Sequence, residues 1–285
     1  MFFKKLPPKM YVTLIYTNIL KFMITILKRL LKLVLPQKIL HIISDMFQMI
    51  YQKGNYGIIF DPTYNEDGLI TYHVCSFMDD PLFVKAYNLG KQTGSWPNND
   101  IRWRAYVACW VSTKVKYLEG DFVECGVNLG GLSRTIIHYL DFKHLNKKFY
   151  LLDTFCGIPE ELILKEERKY GVDKKSYGEC YERVKETFKE FENVVFIRGK
   201  VPDTLPFVKT EKVAYLSLDM NVATPEIAAA EFFWDKMVSG GVMLLDDYVY
   251  STKYTVLRHL YDDFAKERNV KVLALPTGQG IIFKP

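Results

Sequence analysis

The chain has 285 residues, 49% hydrophobic and 25% charged, enough to bury a sizeable core as one large domain with an extension. Its net charge of +5 is unevenly placed: residues 1–53 hold nine Lys or Arg against one acid, and the remainder holds 29 basic against 32 acidic residues, a net of −3. A body without excess positive charge excludes a general nucleic-acid footprint, and five scattered cysteines with no Cys-x-x-Cys pair exclude a disulfide framework or a zinc site and fit a reducing cytoplasm.

The basic segment 1–53 reads as a separate helical extension. From Met10 to Leu35 the polar residues Thr13, Thr17, Asn18, Lys21, Thr25, Lys28, Arg29 and Lys32 recur on one half-turn at about 100° per residue, and the other arc is apolar. Lys21 sits in the best hydrophobic window, which argues against a membrane span. No small-residue cleavage site follows, which argues against a signal peptide. Two readings stay open for 10–35: a helix lying on an anionic membrane surface, peripheral to its inner face, or an apolar arc packed on the body or on a second copy in a homo-oligomer.

Pro36 ends or kinks this helix, and Gly54–Gly68, with its glycines, Pro62 and acids, reads as a loop or linker. Within a second unit, 54–119, helical spacing over Asp80–Gly90 and Ile101–Leu118 predicts two helices that cover one edge of a sheet and frame a pocket. His73, Arg102 and Arg104 lie here and are assigned surface or packing roles.

The third unit, 120–285, alternates strand-length apolar runs with helical patterns. Strands are expected at Asp121–Cys125, Phe149–Leu152, Val194–Ile197, Ala214–Leu218, Gly241–Leu245, Val270–Ala274 and Gly280–Phe283. The first five are far enough apart for crossover helices, whereas the last two are joined by a hairpin-length link with Pro276 and Gly278. The fold class is therefore α/β: a seven-stranded, mostly parallel, doubly wound, Rossmann-like sheet with an antiparallel C-terminal hairpin.

The unit is organised around Gly120–Gly131, GDFVECGVNLGG, in which Phe122 and Val123 lead to Glu124 and a turn, Gly126-x-x-x-Gly130-Gly131. A strand, a glycine turn and a helix bind nucleotides at the strand's carboxyl end. Glycine is suited to that turn because it adopts positive φ and lets a ligand approach the backbone. Cys125 reads as a small buried residue rather than a nucleophile. The second strand ends in Asp153, placed to accept hydrogen bonds from both ribose hydroxyls of a nucleoside over the glycine turn. Asp219 ends the fourth strand, and Asp246 with Asp247 ends the fifth. Neighbouring parallel strands open onto one crevice, so three carboxylates converge there, and hard oxygen ligands in that number suit Mg²⁺. The charged stretch Gly157–Glu182 is longer than a usual connection and reads as a lid or as a solvated helix.

GDFVECGVNLGG, LLDTFCGIP, RGKVPDTLP, LSLDMN and SGGVMLLDDY follow one another in an order and spacing that resembles the TylF/MycF, macrocin O-methyltransferase-like, family of class I S-adenosylmethionine-dependent methyltransferases. The resemblance covers 120–285 and, more loosely, the helices from Tyr72, and leaves 1–53 outside. It implies S-adenosylmethionine as donor, a divalent metal, Mg²⁺ or Mn²⁺, and a sugar hydroxyl of a glycan or glycosylated metabolite as acceptor. By position it implies a donor site at Glu124, Gly126, Gly130, Gly131, Ser133, Asp153 and Thr154. Asp219, Asp246 and Asp247 would be metal ligands, with Asp219 also the general base. The family pattern Leu-Asp-x-Asp-Leu-Tyr is Leu218-Asp219-Met220-Asn221-Val222-Ala223 here, so an amide replaces the second acid. The competing readings are another nucleotide-binding enzyme on a similar sheet, which the missing Gly-x-Gly-x-x-Gly disfavours, and a non-catalytic protein recruited by its N-terminal helix.

Overall fold

A computed structural model of the chain describes residues 62–172 and 178–285. The basic extension 1–53, with its expected helix over 10–35, lies outside the described residues. Among the described residues no helix is long and apolar enough to cross a membrane.

The described chain opens with a hairpin, β1 (Tyr64–Glu66) and β2 (Leu69–Thr71), paired antiparallel across Asp67-Gly68. Both turn residues have positive φ, 51° and 76°, which suits the Asp-Gly pair of a two-residue hairpin. The loop expected up to Gly68 is thus corrected: its last residues form a strand and turn. Helix α1 (Pro81–Lys91) begins where Asp80 accepts from the backbone N–H groups of Leu82 and Phe83, with Pro81 at the first helical position. Helix α2 (Arg102–Val115) follows.

The remaining elements are β3 (Asp121–Cys125), α3 (Gly131–Leu140), β4 (Phe149–Asp153), α4 (Tyr181–Thr187), β5 (Val194–Arg198), β6 (Val213–Leu218), α5 (Ala223–Trp234), β7 (Met237–Leu245), α6 (Thr255–Glu267), β8 (Leu273–Ala274) and β9 (Gly280–Phe283). They build a seven-stranded sheet in the order β5-β4-β3-β6-β7-β9-β8, in which β9 alone runs antiparallel to its neighbours. Strand β8 is shorter than expected: Val270 donates its N–H to Ala265 at the end of α6, so it closes the helix instead of extending the ladder.

Alternation along each strand makes the sheet doubly wound. Phe122, Phe149, Leu151, Tyr215 and Leu244 face the core built with α1 to α4. Val123, Cys125, Tyr150, Leu216, Leu218 and Leu245 face the core built with α5 and α6. Each large side chain so buried contributes about 1.5–3 kcal/mol, and the two faces together fix which way each strand end points. The order reverses between β3 and β6, and a ligand crevice is expected outside their carboxyl ends. The pairing there is in step: Cys125 lies beside Leu218, and Leu218 beside Leu245. The ladder continues one residue further, Asp219 N–H to Cys125 C=O at 2.9 Å and Asp246 N–H to Leu218 C=O at 3.0 Å. Gly126, Asp219 and Asp246 therefore leave the sheet side by side at one level.

The excursion after β4 carries a short helical turn, Lys165–Arg168, exposed except for Glu167, and is anchored at two places. Ile158, Ile163 and Val172 form a small core with Val222. Glu167, in the helical turn Lys165–Arg168, accepts from Leu164 N–H at 2.9 Å and from Ala223 N–H at 2.7 Å, which caps α5. Residues 173–177 lie outside the described residues.

Candidate functional site

A cavity of about 480 Å³ opens at this crevice, within the usual range for small-molecule sites. Glu124, Gly126, Gly131, Asp153, Thr154, Asp219, Asp246 and Asp247 line it, whereas Gly130 and Ser133 do not.

On the β3 side the glycines answer to the protein's own atoms. A Cβ on Gly126, at φ 94°, would lie 2.0 Å from the Asp219 carbonyl oxygen. On Gly130, at φ 78°, it would lie 2.5 Å from the Phe188 ring, and on Gly131 it would lie 2.2 Å from the Trp96 ring. The Gly131 N–H donates to the Ser95 hydroxyl at 2.9 Å. Asp153 is engaged within the loops: Oδ2 accepts from Val127 N–H at 2.6 Å and Asn128 N–H at 2.8 Å, and Oδ1 accepts from Phe155 N–H at 2.6 Å. The Asp153 carboxylate thus ties the glycine turn to its own strand end. Thr154 donates to the Gly157 carbonyl at 2.6 Å. Ser133 is wholly buried and donates to Glu124 at 2.5 Å. Burial pushes Glu124 up to about 8, the Ser133 bond opposing and Asp246 and Asp153 reinforcing the shift. At neutral pH its side chain is therefore mostly a protonated acid. Cys125 is buried, as expected, and its thiol is raised by burial.

The β6 and β7 ends carry the charge. Burial first, and then Asp246 and Asp247, hold Asp219 well above the ordinary carboxyl range, with Arg104 acting the other way. Asn221, in the left-handed region at φ 65°, donates from Nδ2 to Asp219 Oδ1 at 3.0 Å and accepts from the Tyr254 hydroxyl at 2.9 Å. An amide can do both, whereas an acid here would bring a fourth negative charge to the three aspartates. Burial and Asp247 in turn raise Tyr254. Beneath the turn, fully buried Glu226 accepts from Met220 N–H at 2.9 Å, Asn221 N–H at 2.7 Å and the Tyr261 hydroxyl at 2.7 Å.

Arg104 overturns the surface or packing role assigned to it. It pairs with Asp246 through Nη1 and grips Asp67 through Nε at 2.7 Å and Nη2 at 3.3 Å. Burial opposes its charge, but Asp246, Asp67, Asp247 and Asp219 outweigh that and raise it further above its ordinary value. Arg102, by contrast, stays at the surface with Asp100, and His73 is exposed. The other Asp246 oxygen accepts from Gln279 at 3.0 Å. Sequence pattern missed Arg104, Asp67, Gln279 and Glu226. Of these, only the Asp67-Gly68 pair carried a local signal, that of a hairpin turn.

Three aspartates are the residue type that suits a hard divalent cation. Among the described residues, however, no group of three or more His, Cys, Asp or Glu is placed so that it could hold a metal ion. Both Asp246 oxygens are instead turned to Arg104 and Gln279.

A family model described as Macrocin-O-methyltransferase (TylF) matches residues 100–274, more than half of the chain. Demethyldecarbamoylnovobiocin O-methyltransferase of Streptomyces niveus is 28% identical over 141 residues, 46% of this chain and 53% of that protein. The chain therefore spans about half the length of this curated relative. The solved structure of the O-methyltransferase NovP superposes with a TM-score of 0.52 at 20% identity, covering 64% of this chain and 79% of that one. That of CalS11, a calicheamicin methyltransferase, superposes with a TM-score of 0.54 at 14% identity, covering 81% and 99%. Likeness at these identities speaks to the fold.

Proposed function

The chain belongs to the macrocin-O-methyltransferase (TylF) family, and on that premise we propose that it is an O-methyltransferase that moves a methyl group from S-adenosylmethionine to a sugar hydroxyl of a glycan or glycosylated metabolite. The observation that carries the reading is the meeting of the glycine turn with Asp219, Asp246 and Asp247 in one cavity at the sheet's switch point. The printed name of the curated relative, demethyldecarbamoylnovobiocin O-methyltransferase, supports O-methylation as the reaction class.

A bound S-adenosylmethionine supplies a methyl group already activated by its sulfonium. The Gly126–Gly131 turn and Asp153 hold the donor side, with Glu124, held by Ser133, lining the same pocket. Asp219, in its ionised form, takes the proton of the acceptor hydroxyl as its oxygen attacks the methyl carbon in line. Asn221, held by Tyr254, fixes the Asp219 oxygen that it touches. Asp219, Asp246 and Asp247 would hold a divalent cation, Mg²⁺ or Mn²⁺, which lowers the pKa of a coordinated hydroxyl and fixes its direction. The net +8 of residues 1–53 supports a peripheral contact with an anionic membrane surface.

The test is turnover of labelled S-adenosylmethionine over a panel of glycosides, with calorimetric titration of S-adenosylhomocysteine. Saturable one-to-one binding is expected. Asp219→Asn should lower turnover by about 10³-fold, within the usual range for a lost general base, while leaving S-adenosylhomocysteine affinity nearly unchanged. Full turnover in that variant would remove Asp219 from the chemistry, and no binding by the folded wild-type protein would remove the donor.

A further inference from the structure

We infer that Cys156 and Cys180 are a redox modification site: a hydroperoxide joins them in a disulfide across the donor side of the cavity, and the bridge weakens donor binding. The effect on the donor rests on the function proposed above, whereas the bridge itself does not. Of the five cysteines, Cys75, Cys109 and Cys125 are buried and do not line the cavity. Cys156 is exposed, Cys180 is buried, and both line it.

The backbone brings this pair together. The Cys180 N–H donates to the Phe155 carbonyl at 2.9 Å. Cys156 follows that carbonyl directly, so standard peptide dimensions set its Cα about 5–6 Å from the Cα of Cys180, inside the roughly 4.4–6.8 Å that a disulfide spans. The Cys180 Sγ is turned back to the same peptide, 3.3 Å from the Phe155 oxygen, and lies 3.7 Å from the Asn128 oxygen in the glycine turn. Cys156 sits in a firmly held turn. Phe155 and Gly157 have positive φ, 56° and 105°, and the Thr154 hydroxyl accepts from the Cys156 N–H at 3.3 Å while donating to the Gly157 carbonyl.

The environments of the two sulfurs set the order of events. Burial, and then Asp153 and Glu179, push the Cys180 thiol up to about 11, so the exposed Cys156 meets the oxidant first. Its thiolate attacks one peroxide oxygen, the O–O bond breaks, and a sulfenic acid and a hydroxide or alkoxide result. The Cys180 thiol then attacks that sulfur: the S–S bond forms, the S–O bond breaks, and the departing hydroxide leaves with the thiol proton as water. Two electrons pass from the thiols to the hydroperoxide. The bridge takes the Cys180 sulfur off the Asn128 carbonyl and ties the Asp153–Gly157 turn to the N-cap of α4, along the wall beside Asp153. A link made and broken in this way needs no oxidising compartment.

The test treats the full-length protein with hydrogen peroxide and maps its tryptic peptides without reduction. Lys165 and Arg168 lie between the two cysteines, so a bridge joins separate peptides. Cys156 linked to Cys180 is expected, and dithiothreitol should release it. Cys156→Ser, a change at an exposed position, should abolish the link, and Cys180→Ser should leave a Cys156 sulfenic acid that dimedone traps. In calorimetry, S-adenosylhomocysteine should bind about tenfold more weakly after peroxide, with affinity restored by dithiothreitol and insensitive to peroxide in Cys156→Ser. Absence of the link, whatever the state of Cys156, overturns the site, as does a link to another cysteine. A link with unchanged affinity overturns its effect on the donor. If the reduced protein does not bind S-adenosylhomocysteine, the donor reading falls and its control by the bridge falls with it, while the peptides still decide the modification site.

Discussion

The two halves of the cavity floor are built on opposite terms. On the β3 and β4 side, the Asp153 carboxylate is engaged by three loop N–H groups and Glu124 is paired with Ser133. The glycines there are pressed against Asp219, Phe188 and Trp96. On the β6 and β7 side, three aspartates share one crevice and rely on Arg104, from a helix outside the sheet's crossovers, for their nearest cation. The first half is a backbone cradle whose shape is complete before a ligand arrives. The second is a charge cluster whose balance rests on Arg104.

Substitutions in the cradle should damage the protein as well as its binding. Gly126→Ala places a Cβ on the Asp219 carbonyl in a backbone region that disfavours side chains; chemical denaturation should show a loss of about 2–4 kcal/mol, and a stability equal to wild type would show that the two strand ends are free to part. Asp153→Asn leaves backbone N–H groups facing an amide that can accept at only one atom. It should cost about 1–3 kcal/mol by the same measurement and weaken S-adenosylhomocysteine binding. Unchanged stability with lost binding would instead make Asp153 a pure ligand contact.

The mildest test concerns the support under the charge cluster. Folded Glu226 keeps its proton until about pH 8, because burial outweighs its hydrogen bonds, whereas the unfolded side chain releases it near 4.5. Across that interval the folded state binds more protons, so stability falls as pH rises through it. Glu226→Gln, which cannot ionise, should flatten that slope in melts taken at several pH values. An unaltered slope would place the titration elsewhere, with Glu124, also raised to about 8, as the next residue to replace.

The contrast between the halves also explains what sequence could tell. The cradle is local: Glu124 through Gly131 is one run, and its period changes from strand to helix within twelve residues of Gly120. The strand-end aspartates were legible for the same reason, since alternation gives out where the strand does. Arg104 was not, because its partners lie 37 and 142 residues away and nothing in Ile101–Leu118 distinguishes one arginine from another. The role of the glycines was legible only in part. Pattern shows that a side chain is unwelcome, but not that Trp96 and Phe188, rather than a ligand alone, exclude it. Asn221 looked like a lost acid, and only the Tyr254 hydroxyl above it shows why an amide serves.

The pinning of the excursion after β4 has a consequence for anyone wishing to change what this protein accepts. Because Glu167 supplies the first hydrogen-bond acceptor of α5, and Ile158, Ile163 and Val172 close over Val222, this stretch is not an interchangeable cassette. A graft from a relative would leave the Ala223 N–H bare and open a hollow beside the turn that follows β6. Exchanging this stretch therefore means moving two segments that are more than fifty residues apart as one piece.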